Sequence, residues 1–124
     1  MNFRPERVGK LIREELAAMI LREVEMPPGV LATITEVSVD RKLERAVVEV
    51  SVIPSSPAME KAVLEALAVR AGELQYQLMK KINIKPMPRI SFAIDHGYLN
   101  AANVEKLLEE DSINADERGG TADR

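Results

Sequence analysis

The chain has 124 residues, 46% of them hydrophobic and 30% charged, which allows one domain with a modest core and excludes a fibrous or wholly disordered protein. It has no cysteine, so neither a disulfide framework nor a thiolate metal site can form, and a reducing compartment suits it. The formal net charge of −3 is unevenly placed: residues 1–104 hold 14 Lys and Arg against 13 Asp and Glu, while residues 105–124 hold 3 against 7.

A first helix is expected over residues 4–24. Pro5 falls in its first turn, where a missing N–H is harmless. Val8, Leu11, Ile12, Leu16, Met19 and Ile20 recur at helical spacing on one face, with Arg7, Lys10 and Glu14 opposite. Met26-Pro27-Pro28-Gly29 cannot continue a helix. The next segment, residues 31–39, is rich in β-branched residues, but its apolar parity slips between Ile34 and Val37, which predicts a β-bulge. After the polar link Asp40-Arg41-Lys42-Leu43-Glu44-Arg45, the residues Ala46, Val48, Val50 and Val52 alternate as a half-buried strand should, and the two strands form a hairpin.

Pro54-Ser55-Ser56-Pro57 is a loop, with Ser56 or Pro57 opening the next helix. Residues 58–83 read as one helical stretch interrupted at Arg70-Ala71-Gly72-Glu73. A glycine costs roughly 1 kcal/mol against alanine inside a helix. Gly72 therefore predicts a kink that divides the stretch in two, or a close approach by something else. Val63, Leu64, Leu67 and Ala68 give the first half its inward face, and Leu74, Leu78 and Met79 the second. Ile90, Phe92 and Ile94 alternate with Ser91, Ala93 and Asp95 in a last strand that joins the hairpin. A short terminal helix is expected within residues 100–110, with Val104, Leu107 and Leu108 as its stripe. Residues 113–124, with Gly119-Gly120 and almost no apolar side chain, form an acidic disordered tail, which leaves residues 1–112 as the folded domain.

The resulting order is helix, strand, strand, helix, kink, helix, strand. It is an α+β arrangement with a three-stranded sheet and helices on one face. It is also the order of the KH fold variant that begins with a helix, a fold that grips nucleic-acid backbone at a glycine-containing junction between two helices.

Catalytic chemistry has little to work with. His96 is the only imidazole, it follows a strand in Asp95-His96-Gly97-Tyr98, and no positioned nucleophile neighbours it. No Walker-type or dinucleotide-type glycine loop occurs, and neither a metal nor a cofactor is implied. No apolar run approaches the ~20 residues of a membrane span. The segment after Met1-Asn2-Phe3-Arg4-Pro5-Glu6 has no secretory core, so a cytoplasmic protein is expected.

Phe3, Tyr76, Phe92 and Tyr98 are the only aromatic residues, too few for a base-stacking sheet. Backbone contact by basic side chains remains. The candidates are Arg4, Arg7 and Lys10 on the first helix, Arg41, Lys42 and Arg45 in the hairpin, and Arg70, Lys80, Lys81, Lys85 and Arg89 around the second helical half. A helix N-terminus freed after Gly72 would add backbone N–H donors for a phosphate.

Several segments resemble the ribosome-binding factor A family. They are Arg7-Val8-Gly9-Lys10-Leu11-Ile12-Arg13-Glu14-Glu15-Leu16-Ala17, Thr33-Ile34-Thr35-Glu36-Val37, and Asp40 through Leu43 to Ala46-Val47-Val48-Glu49-Val50-Ser51-Val52. Gly72-Glu73-Leu74, Pro88-Arg89-Ile90-Ser91-Phe92-Ala93-Ile94-Asp95 and Val104-Glu105-Lys106-Leu107-Leu108 continue the match in order. The resemblance implies a monomeric bacterial assembly factor that binds the free small (30S) ribosomal subunit, helps 16S rRNA 5′-end processing late in maturation, and is needed in the cold. It implies no catalysis and no cofactor. The family's interhelical Ala-x-Gly motif is matched at Gly72, whereas Arg70 stands at the alanine position and is expected to supply a phosphate contact. The alternative reading is a KH-like module that contacts a protein without RNA.

Overall fold

The computed structural model describes residues 4–96 and 104–108. Helix α1 (Pro5–Glu23) is followed by β1 (Leu31–Val39), β2 (Arg45–Ile53), α2 (Pro57–Lys81) and β3 (Arg89–Ile94), and residues 104–108 form a short α3. The sheet order is β1-β2-β3, with β1 antiparallel and β3 parallel to the central β2. A parallel pair needs a crossover, and α2 provides it.

The predicted bulge is present. The register shifts between Ile34 and Glu36, so Ile34 pairs with Val50 and Val37 with Val48. One extra residue, Thr35, restores the parity, so that Ile34, Val37 and Val39 all join the core with Val48, Val50 and Val52. From α1, Val8, Ile12, Leu16, Met19 and Ile20 close this core, and from α2 come Val63, Leu67, Leu74 and Leu78. Because β2 is central, its reverse-face residues Val47 and Glu49 are buried as well. Of the predicted terminal stripe, Val104 is buried, Leu108 half-buried and Leu107 exposed. The tail at residues 113–124 lies outside the described residues.

Ser56 and Pro57 divide the opening of α2 between them. The Ser56 hydroxyl accepts from the Met59 amide at 3.1 Å as the N-cap, and Pro57 takes the first helical position. The division of this helix at Gly72 is not observed: α2 is helical without interruption from Pro57 to Lys81. The roughly 1 kcal/mol disadvantage of one glycine is outweighed by four buried anchors, Val63, Leu67, Leu74 and Leu78, each 0% exposed on one continuous face. Each such side chain contributes about 1.5–3 kcal/mol. No free helix N-terminus therefore exists after Gly72, and its expected amide donors are committed within the helix.

A close approach does occur, at a different glycine. A Cβ built on Gly9 of α1 would lie 2.8 Å from the Val37 carbonyl oxygen, so the bare Cα is what lets α1 lie against the bulged strand. At Gly72 nothing lies within 4 Å of the corresponding position.

Candidate nucleic-acid interface

Tertiary pairing gathers basic residues from separate segments at one end of the sheet. The β1–β2 turn is closed by Asp40, whose Oδ1 accepts from the amides of Glu44 at 2.7 Å and Arg45 at 3.1 Å. Leu43, at φ 60°, donates its amide to the Asp40 carbonyl at 3.1 Å, and the Asp40 amide donates to Arg45 O at 3.0 Å, closing the turn further. This geometry leaves Arg41 and Lys42 exposed at the tip. Beside it, the Arg89 amide donates to Glu44 O at 3.0 Å, and Arg89 is the register partner of Arg45. Two guanidinium-bearing residues thus stand as register partners at this end of the sheet.

Helix α1 starts at the same end, because Gly9 packs on Val37 and Val39 near the close of β1. Arg4, Arg7 and Lys10 are exposed there. Lys10 lines a groove of about 430 Å³ between α1 and β1, together with Arg13, Glu6 and Glu36. Arg13 was not among the sequence-based candidates; its spacing of three from Lys10 on a helix was the available signal.

Helix α2 reaches this end with its last turns. Gln75 fastens it there: Nε2 donates to Pro88 O at 2.9 Å, and Oε1 accepts from the Ile90 amide at 2.9 Å. The side chain thereby fixes the start of β3, including Arg89, against the helix. Lys80 and Lys81 occupy the last turn of α2, where cations also suit the helix C-terminus. Lys85 is exposed on the loop from α2 to β3. Among the described residues, none of Arg4, Arg7, Lys10, Arg41, Lys42, Lys80, Lys81, Lys85 and Arg89 makes an ion pair.

Arg70 stands apart from this group. Its Nη2 lies 2.9 Å from Glu23 Oε1 at the end of α1, so it braces the two helices. The side chain is aimed between helices rather than out from Gly72. Gly72 itself is exposed on the outer surface of α2.

Among the described residues, His96 meets a carboxylate and no nucleophile. Its Nε2 is 3.4 Å from Glu60 Oε1, while the Ser55 hydroxyl donates to Glu60 Oε2 at 2.7 Å. The carboxylate separates serine from imidazole, the reverse of the order in which a histidine activates a hydroxyl. The Ser55 hydroxyl, followed by His96, holds the Glu60 carboxyl below its ordinary range. Among the described residues no group of three or more His, Cys, Asp or Glu is placed to hold a metal ion, and no helix is long and apolar enough to cross a membrane.

The chain is similar to known proteins over most of its length. The family model for ribosome-binding factor A matches residues 4–108. Ribosome-binding factor A of Chlamydia pneumoniae is 36% identical over 109 residues, spanning 86% of this chain and 90% of the relative. That of Stutzerimonas stutzeri is 33% identical over 122 residues, spanning 94% and 95%. The crystal structure of ribosome-binding factor A from Thermus thermophilus is similar in fold, with a TM-score of 0.60 at 20% identity, over 74% of this chain and 97% of that one. The domain is KH-like, and the chain belongs to the ribosome-binding factor A family.

Proposed function

We propose that this protein binds the free small (30S) ribosomal subunit by gripping 16S rRNA backbone, and promotes late maturation of that subunit, including 5′-end processing of 16S rRNA and growth at low temperature. Family membership supports a ribosome-associated maturation role. The observation that carries the RNA reading is that basic side chains from α1, the β1–β2 hairpin, the end of α2 and the start of β3 collect at one end of the sheet. A near-neutral body becomes a phosphate-binding surface when its cations are concentrated on one side.

In this reading the contact set is Arg4, Arg7, Lys10, Arg41, Lys42, Arg45, Lys80, Lys81, Lys85 and Arg89, with Gly72 leaving room at the helix surface. Arg70 serves the helix pair. The protein acts by binding rather than by catalysis, and works as a cytoplasmic monomer without a cofactor.

Sedimentation with small subunits, large subunits and whole ribosomes across a salt series tests the proposal. Selective association with free small subunits, weakening steeply with salt, is expected. Association that is indifferent to salt would replace RNA with a protein partner. Absence of association at low salt would remove the ribosomal role.

A further inference from the structure

The outward face of the second half of α2 carries three exposed apolar side chains: Val69 at 81%, Tyr76 at 56% and Met79 at 53%. At 100° per residue they share one stripe with Gly72, beside which the space is open. Lys80 Nζ lies 5.3 Å from the centre of the Tyr76 ring, and Lys81 is exposed next to it. Two acids border the stripe: Glu65 is exposed one turn before Val69, and Glu73 accepts from Gln77 Nε2 at 2.8 Å. The two lysines have no ion pair among the described residues.

A continuous apolar stripe with cations at its end marks a contact surface rather than scattered exposure. The partner it fits offers a flat apolar face and an anion a few ångströms apart. An unpaired nucleotide has both. A duplex does not, because its bases are stacked inside and an A-form helix presents mainly backbone and 2′-hydroxyl groups.

We infer that Tyr76 is a stacking platform for one unpaired base of RNA, with Lys80 and Lys81 on the neighbouring phosphates and Gly72 giving the sugar-phosphate chain room against the helix. This rests on the RNA-binding reading above and deepens it, because it names a single-stranded nucleotide as the feature recognised. The exposed Tyr76 ring thus supplies what a stacking sheet supplies in other RNA-binding modules.

The chain contains two tyrosines and no tryptophan, so Tyr98→Phe leaves Tyr76 as the sole tyrosine emitter. That protein is titrated with labelled single-stranded and duplex RNA of equal phosphate number, reading tyrosine emission and RNA anisotropy together. Single-stranded RNA is expected to quench the emission and the duplex to leave it unchanged. Tyr76→Leu should weaken single-strand binding roughly tenfold, and Tyr76→Phe should restore it, since the ring is the platform. Single-strand binding without quenching, or Tyr76→Leu binding like the parent, would remove Tyr76 from the interface and leave the ribosomal role standing. Loss of all binding to RNA and to subunits in the parent would overturn both. A photoreactive side chain at position 76 should crosslink to rRNA within the subunit complex; a crosslink to a ribosomal protein instead would also overturn the inference.

Discussion

Gly9 and Val37 meet at a distance that no side chain could share: a Cβ on Gly9 would stand 2.8 Å from the Val37 carbonyl oxygen. The contact seats the N-terminal half of α1 on the bulged edge strand and so carries Arg4, Arg7 and Lys10 to the end of the sheet where Arg41, Lys42 and Arg89 emerge. Gly9→Ala is therefore expected to destabilise the protein. The methyl group would gain about 1 kcal/mol of helix propensity, but pressing it against backbone costs about 1–3 kcal/mol. Chemical denaturation should show a lowered midpoint with an unchanged m-value.

The opposite sign is expected at the other helical glycine. Gly72→Ala places a methyl group in open space within a continuous helix, so stability should rise by about 0.5–1 kcal/mol. If the open surface admits RNA backbone, affinity for small subunits falls in this more stable protein. Raised stability with unchanged binding would make the glycine neutral to function.

Lys80→Ala with Lys81→Ala should leave the fold intact, since both side chains are exposed and neither is ion-paired among the described residues. Removal of two phosphate contacts should lower the salt-dependence slope of subunit binding by about 1.5. An unaltered slope would place the lysines outside the interface.

Arg70→Gln separates bracing from RNA contact. The pair with Glu23 is partly exposed, with side-chain exposures of 39% and 27%, so its loss should cost less than about 1 kcal/mol. Subunit binding and its salt slope should not move; a reduced slope would return Arg70 to the RNA.

Gln75→Leu should loosen the start of β3. It removes the partners of the Ile90 amide and the Pro88 carbonyl, at about 1–3 kcal/mol for buried groups left unsatisfied. Faster hydrogen exchange at Ile90, together with weakened RNA binding through a displaced Arg89, is the expected signature. Exchange unchanged at Ile90 would show that the sheet holds itself without the glutamine.

Period and punctuation alone determined much of this protein. Helical spacing in α1, alternation in β2 and β3, the Ser56-Pro57 start and the slipped parity between Ile34 and Val37 are local patterns that report which face of each element is buried. The ordered segments from Arg7 to Leu108 likewise sufficed to point to the family. What the local pattern could not decide was the balance between a glycine's propensity and the packing around it. Gly72 has the composition of a break, yet Leu67, Leu74 and Leu78 bury on one face and the helix runs on from Pro57 to Lys81 without interruption. Gly9, unremarked within a good helix, proved to be the point of closest approach because its neighbour Val37 is distant in sequence. The fates of the basic residues were decided in the same way. Arg70 finds Glu23 across 47 positions, whereas Arg45 and Arg89 are brought side by side by strand pairing. Charge is written residue by residue, but partnership depends on which distant atoms the fold brings within hydrogen-bonding reach.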